Sequence, residues 1–205
     1  MIDLYTFRTP NGRKASIALE ELGLPYTVKV VDLTRGEQLK PEFLAINPNN
    51  KIPAIVDHEE PGGRPLTLFE SGAILLYLAE KAGALLPTDA RGKAEVTQWL
   101  MFQMGGVGPM LGQLNFFGHF SPKKDAFAIE RFQTEARRLL GVLDRHLSSR
   151  DYLAGAYSIA DIATYPALVT ARGFFPELFQ TLGHVPQWMH RVGSRPAVQR
   201  GMTIP

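Results

Sequence analysis

The segment Asn47-Pro48-Asn49-Asn50-Lys51-Ile52-Pro53-Ala54-Ile55-Val56-Asp57 runs from a polar turn through a proline straight into an apolar strand. Proline has no N–H for a sheet ladder, so a strand tolerates it only at its start or on an edge. Pro53 therefore marks where this strand begins, and the pattern around it is read outward from that point. Residues 1–7 read as a strand and Thr9-Pro10-Asn11-Gly12 as a turn cluster. Ala15, Ile17, Ala18, Leu19 and Leu22 recur at helical spacing within residues 12–22 and stop at Gly23. Residues 26–31 alternate as a β-branched strand, and residues 41–46 form a short helix opened by Pro41. After the strand at 54–57, residues 59–65 hold two prolines and two glycines and read as a hairpin turn into a returning strand at 66–69. Residues 71–81 close the series as a helix.

The order is β-α-β-α-β-β-α. Strand–helix alternation predicts parallel pairing in the first part, and the closing hairpin predicts an antiparallel edge. Helices on both faces of a mixed four-stranded sheet give a thioredoxin-like domain over residues 1–81. A Gly- and Pro-containing linker follows at 82–89. Beyond it strand signals vanish: residues 90–115, 124–148, 158–170 and 185–194 all show helical periodicity. Residues 90–205 are therefore expected to form an all-α bundle domain, giving the chain an α/β plus all-α fold class. The run Gly105-Gly106-Val107-Gly108-Pro109 is expected to bend or break the first of these helices.

Composition narrows the function. The 205 residues are 45% hydrophobic and carry a formal net charge of +2, too small to imply nucleic acid or an anionic membrane as partner. The start, Met1-Ile2-Asp3-Leu4-Tyr5, lacks the basic-then-apolar pattern of a signal peptide, and no apolar run reaches the roughly 18 residues of a membrane span. There is no cysteine, which excludes disulfides, thiolate metal sites and a protein-thiol nucleophile and fits a cytoplasmic protein. The five histidines are dispersed without ligand spacing, so no metal is expected.

Two short motifs carry chemistry. If Pro53 is cis, the backbone of Ile52 is presented to an extended peptide, which would pair with it as an added strand. The bland alternative is an ordinary loop-to-strand proline. Glu70-Ser71 opens the helix at 71–81, with Ser71 expected as its N-cap. A helix N-terminus attracts carboxylates, and Glu70 beside it attracts an ammonium. One dipeptide thus offers both halves of a site for an amino-acid zwitterion. Its alternative is a plain cap beside a solvated acid.

The region Thr9-Pro10-Asn11-Gly12, the loop Pro48-Asn49-Asn50-Lys51-Ile52-Pro53-Ala54-Ile55-Val56-Asp57 and the segment Phe69-Glu70-Ser71-Gly72-Ala73-Ile74-Leu75-Leu76-Tyr77-Leu78 together resemble the glutathione transferase family, in particular its nu-class bacterial branch. The likeness continues through Gly105 to Gln113, Ala128 to Phe132 and Tyr157 to Ile162, and so covers essentially the whole chain. It implies a homodimeric glutathione-dependent disulfide-bond reductase with weak conjugating and peroxidase activities. Glutathione would be the cosubstrate, with no metal. It further implies that Gln38, Ile52, Glu70 and Ser71 bind glutathione with Lys51 and Pro53 beside them, and that Arg131 reaches it from the helical domain across the dimer.

Members usually place Tyr, Ser or Cys near the end of the first strand to hold the glutathione sulfur. Here Tyr5 falls too early, and Thr9 and Asn11 are the available donors, with Asn11 at the start of the first helix. The partners expected are glutathione or its disulfide and a small disulfide or electrophile. A transferase attacking electrophilic carbon, and a non-catalytic glutathione-binding or interaction module, are the rival readings. Two other signals have simpler uses. Ser158-Ile159-Ala160-Asp161 fits a capping box with Tyr157 and Ile162 at the staple positions. The aromatic segment Asn115-Phe116-Phe117-Gly118-His119-Phe120 suits either a second-substrate pocket or packing and a dimer contact.

Overall fold

Alternation of buried and half-buried residues along β1 (Ile2–Thr6) places Ile2, Leu4 and Thr6 on one covered face, as expected of a strand inside a sheet. In the computed structural model, which describes residues 1–59 and 62–205, β1 pairs in parallel with β2 (Tyr26–Val30) and antiparallel with β3 (Ala54–Asp57). β4 (Leu66–Phe69) returns antiparallel on β3, giving the order β2-β1-β3-β4. The mixed sheet expected from the pattern is present. Residues 60 and 61, inside the expected hairpin turn, lie outside the described residues.

The helices of this part follow local rules. α1 (Pro10–Leu22) carries proline in its first turn, where the missing N–H costs nothing, and stops at Gly23 in the left-handed conformation with φ 62°. α2 (Pro41–Leu44) is a single turn, and α3 (Ser71–Ala82) ends at Gly83 with φ 66°.

The second unit, residues 87–194, is helical. α4 (Ala90–Phe102) starts on Asp89, whose carboxylate accepts from Gly92 N–H at 2.9 Å. The glycine–proline run after it does not break the helix. A π-helical turn at Gln103–Val107 leads into α5 (Gly108–Asn115), and a second at Phe116–Phe120 extends it past the expected end. A wide turn shifts the hydrogen-bond ladder by one residue, which leaves room for Pro109 at the start of the next segment. α6 (Ala126–His146), α7 (Ile159–Phe174) and α8 (Val185–Gly193) complete the unit around buried Leu139, Leu143, Ile162 and Trp188.

One boundary differs from expectation. Residues 195–205 group with residues 1–86 rather than with the helical unit. Their helix α9 (Pro196–Gly201) packs on α1, where Ser16 Oγ donates to the Gly201 carbonyl at 2.7 Å. Arg195 forks onto Glu21 at 2.7 and 2.8 Å, and Arg200 Nε reaches Glu20 at 2.6 Å. The helical periodicity read from the sequence stops at residue 194, and chain order alone places residues 195–205 in the helical domain.

Candidate functional site

Strand register brings the sequence-predicted residues to one end of the sheet. Tyr5 pairs with Ala54, and Ala54 pairs with Phe69. The end of β1, the start of β3 and the end of β4 therefore lie side by side, and Thr6 beside Val30 adds the end of β2. The segments that continue from these four points hold Thr9 and Asn11, Ile52 and Pro53, Glu70 and Ser71, and Gln38. Segments about sixty positions apart in the chain are thereby brought to the same end of the sheet.

The proline loop is held from within. The Ile52–Pro53 peptide bond is cis. Asn47 is buried; its side-chain amide donates to the Lys51 carbonyl at 2.6 Å and its oxygen accepts from Asn49 N–H at 2.9 Å. Ile52 packs in a cluster with Val31, Phe43 and Ala54, flanked by Tyr5 and Phe7, so its side chain anchors inward. Lys51 is exposed.

The start of α3 departs from the expected cap. Ser71 is the first helical residue, not the N-cap; Glu70 holds the cap position at φ 69° and ψ 111°, with no side-chain cap hydrogen bond. A non-glycine residue at positive φ costs of order 1–3 kcal/mol and persists where the surroundings impose it. The outcome is an exposed carboxylate next to a buried hydroxyl, with Ser71 4% exposed. Behind them lies Lys14, from the α1 face that carries Ala15 and Ala18, and it is 1% exposed. Its Nζ donates to Ser71 Oγ at 3.4 Å, long for a hydrogen bond. Burial pulls the Lys14 ammonium down to about 7, while the Glu70 carboxylate favours its charged form.

The start of α1 holds Thr9 and Asn11, the two expected donors. Thr9 is the N-cap, its hydroxyl accepting from Gly12 N–H at 3.0 Å, and Asn11 is an exposed residue of the first turn. Gly12 is required: a Cβ there would overlap Thr6 Oγ1 and the Phe7 carbonyl. Gln38 sits in a 3-10 turn, and its side-chain oxygen is buried with no protein partner among the described residues. Arg131 belongs to the other unit, where it is exposed on α6 and lines an open cavity of about 830 Å3 with Met110, Phe127 and Glu130. Ser158 and Asp161 form the expected capping box at α7. Among the described residues no cluster of three His, Asp or Glu side chains is placed to hold a metal ion, and no helix is long and apolar enough to cross a membrane.

Residues 9–81 match the description "Glutathione S-transferase, N-terminal domain", and residues 126–199 match "Glutathione S-transferase, C-terminal domain". The chain belongs to the glutathione S-transferase family. It is 50% identical to the disulfide-bond oxidoreductase YfcG of Escherichia coli over 98% of this chain and 94% of that protein. Among solved structures, a glutathione transferase from Pseudomonas putida with one glutathione disulfide bound per subunit superposes with TM-score 0.96 at 48% identity, covering 100% of this chain and 91% of that one. A glutathione transferase from Burkholderia graminis with two glutathione molecules per subunit gives TM-score 0.96 at 51% identity, covering 100% and 88%.

Two residues of this glutathione S-transferase escaped the sequence reading. Asn47 is lost in an Asn-rich turn, where any of three asparagines might have served. Lys14 reads as a solvated charge, yet a signal was present: it stands three and four positions before Ile17 and Ala18, on the buried face of α1.

Proposed function

We propose that this protein is a cytoplasmic, homodimeric glutathione-dependent disulfide-bond oxidoreductase. The observation that carries the reading is the convergence of a cis-proline loop, a strained acid–hydroxyl helix start and a capped first helix at one sheet end, in a chain with no cysteine of its own. The half-identity to a named disulfide-bond oxidoreductase, and the glutathione and glutathione disulfide named for the neighbouring structures, support it.

In this reading glutathione lies extended, pairing its backbone with Ile52 beside Pro53. Its γ-glutamyl ammonium meets Glu70 and its carboxylate meets Ser71 at the α3 N-terminus. Gln38 offers its buried oxygen as an acceptor, and Lys51 lies beside the loop. Arg131 is proposed on its chemistry alone, a guanidinium that forks onto a carboxylate, supplied across the dimer. The glutathione sulfur faces the start of α1. There the Thr9 hydroxyl, which accepts from Gly12, keeps its proton to donate, and the exposed Asn11 amide is a second donor. Both lower the thiol's affinity for its proton, helped by the helix N-terminus.

The thiolate attacks one sulfur of the substrate disulfide. A new S–S bond forms as the old one breaks, and the departing sulfur leaves as a thiolate that takes a proton. A second glutathione thiolate then attacks the mixed disulfide, giving glutathione disulfide and the second substrate thiol. The protein contributes alignment and charge stabilisation and forms no covalent bond. Exposed Phe116, Phe120 and Phe127 give the helical unit an apolar surface suited to a second copy.

The test is kinetic. With glutathione fixed, kcat/KM for hydroxyethyl disulfide is compared with that for chlorodinitrobenzene. A large preference for the disulfide is expected. The reverse preference would replace this reading with conjugation at carbon. Asn11→Ala and Thr9→Ala assayed separately assign the thiolate partner, the operative one losing about 10-fold or more in turnover.

A further inference from the structure

Lys14 is the buried charge that the reaction scheme above does not use. A lysine on the apolar face of α1 is costly: an ammonium out of water loses its hydration, and a leucine of similar size at the same position would contribute burial instead. The cost is retained on the side of α1 packed against α3, where Nζ donates to the Ser71 hydroxyl and the Glu70 carboxylate favours its charge. Three features are then stacked in order: an exposed carboxylate at Glu70, the positive end of α3 at Ser71, and a buried ammonium behind Ser71. An isolated helix start supplies only about half a unit charge, spread over its first turn. The Lys14 ammonium beneath it, when it holds its proton, is screened by protein rather than by water and extends that potential to a carboxylate resting on Ser71.

We infer that Lys14 is a positioning residue that selects an α-amino-acid carboxylate at the Ser71 end of the glutathione site. The inference rests on the reading that glutathione binds there. Lys14 does not touch the ligand in this assignment; it acts through Ser71, and it makes the site read a zwitterion rather than an amine alone. The reacting sulfur lies on the central cysteinyl residue, beyond the γ-glutamyl linkage, so the effect falls on affinity for glutathione and not on the chemical step.

The experiment pairs a protein change with a ligand change. Calorimetry on the wild-type protein and on Lys14→Met, a neutral side chain of similar length, uses three probes: glutathione, an analogue lacking the γ-glutamyl α-carboxylate, and one lacking the α-amino group. The wild type is expected to lose about 10-fold or more in affinity when the carboxylate is removed. In Lys14→Met that loss shrinks to about 3-fold or less, while loss of the amino group, which faces Glu70, weakens both proteins equally. In turnover the variant shows a raised KM for glutathione rather than a lowered kcat. An equal carboxylate effect in the two proteins overturns the inference. Failure of the wild type to bind glutathione at all overturns the functional reading instead. Should Lys14→Met not fold, the wild type still decides: the carbon-13 signal of the Lys14 ε-carbon should move with glutathione and not with the carboxylate-free analogue. Equal movement with both sinks the proposal.

Discussion

Two helix starts in this protein obey opposite logic. At α7, Ser158 caps the backbone while Asp161 reaches back, and the Asp161 carboxylate accepts from Leu153 N–H at 3.0 Å, Ser158 N–H at 3.1 Å and the Trp188 indole at 2.8 Å. Every clause of the local capping rule is met inside the protein. At α3 the cap residue is a glutamate at positive φ, its side chain makes no cap bond, and its carboxylate stands exposed. The first start closes on itself and serves folding. The second violates the rule, and residues that break local rules where the fold holds them in place are the first candidates for function.

The comparison breaks most visibly at Asp161. Asp161→Ala strips the acceptor from buried donors on three residues and should destabilise the protein by about 3 kcal/mol or more in urea unfolding. Turnover per folded molecule should hold. A variant that folds normally would show that the box is ornamental. The α3 start should respond the other way. Glu70→Gln and Ser71→Ala should each weaken glutathione binding by about 10-fold, or roughly 1.4 kcal/mol, with Glu70→Gln melting near the wild type and Ser71→Ala losing less stability than Asp161→Ala, since the bond it removes from Lys14 is a long one. If stability rather than affinity falls, the two starts are alike after all.

A smaller effect separates the two buried charges by pH. Burial raises the Asp161 carboxyl to about 6 from its ordinary 3.8. Between those values the folded state holds more protons than the unfolded chain, so this group's contribution to stability falls as pH rises through that window. Lys14 is the mirror case. Held near 7 against an ordinary 10.5, it leaves the unfolded chain with more protons in between, so stability rises with pH from about 7 towards 10. Asp161→Asn should remove the acid slope, and Lys14→Met the alkaline one, each leaving the other intact.

The sequence made the α7 start legible because a capping box is written in residue types at fixed spacing. It made the proline loop legible for the same reason, since Ile52–Pro53 sits between a polar turn and an apolar run. It misread α3, placing the cap at Ser71, because positive φ at Glu70 is a product of tertiary packing and leaves no mark in composition. Thr9 and Asn11 stood out as donors beside the first helix, but that Thr9 is its cap did not, since both residue types suit the role. Arg131 came from family likeness and from nothing local. The packing of the C-terminal segment on α1 was not legible, because chain order places it after the helical unit and no local signal names the surface it covers.

That segment orders events during synthesis. Synthesis runs from the N-terminal side, so the face of α1 that receives α9 is made before the helical unit and α9 after it. Until Gly201 has been made, Ser16 and Ile17 lack the backbone that covers them. The nascent thioredoxin-like unit therefore waits, incomplete, while the entire helical unit is made. Its latch is closed by residues made after the helical unit, so a ribosome that stalls before α9 yields a chain whose earlier-made domain is the unfinished one.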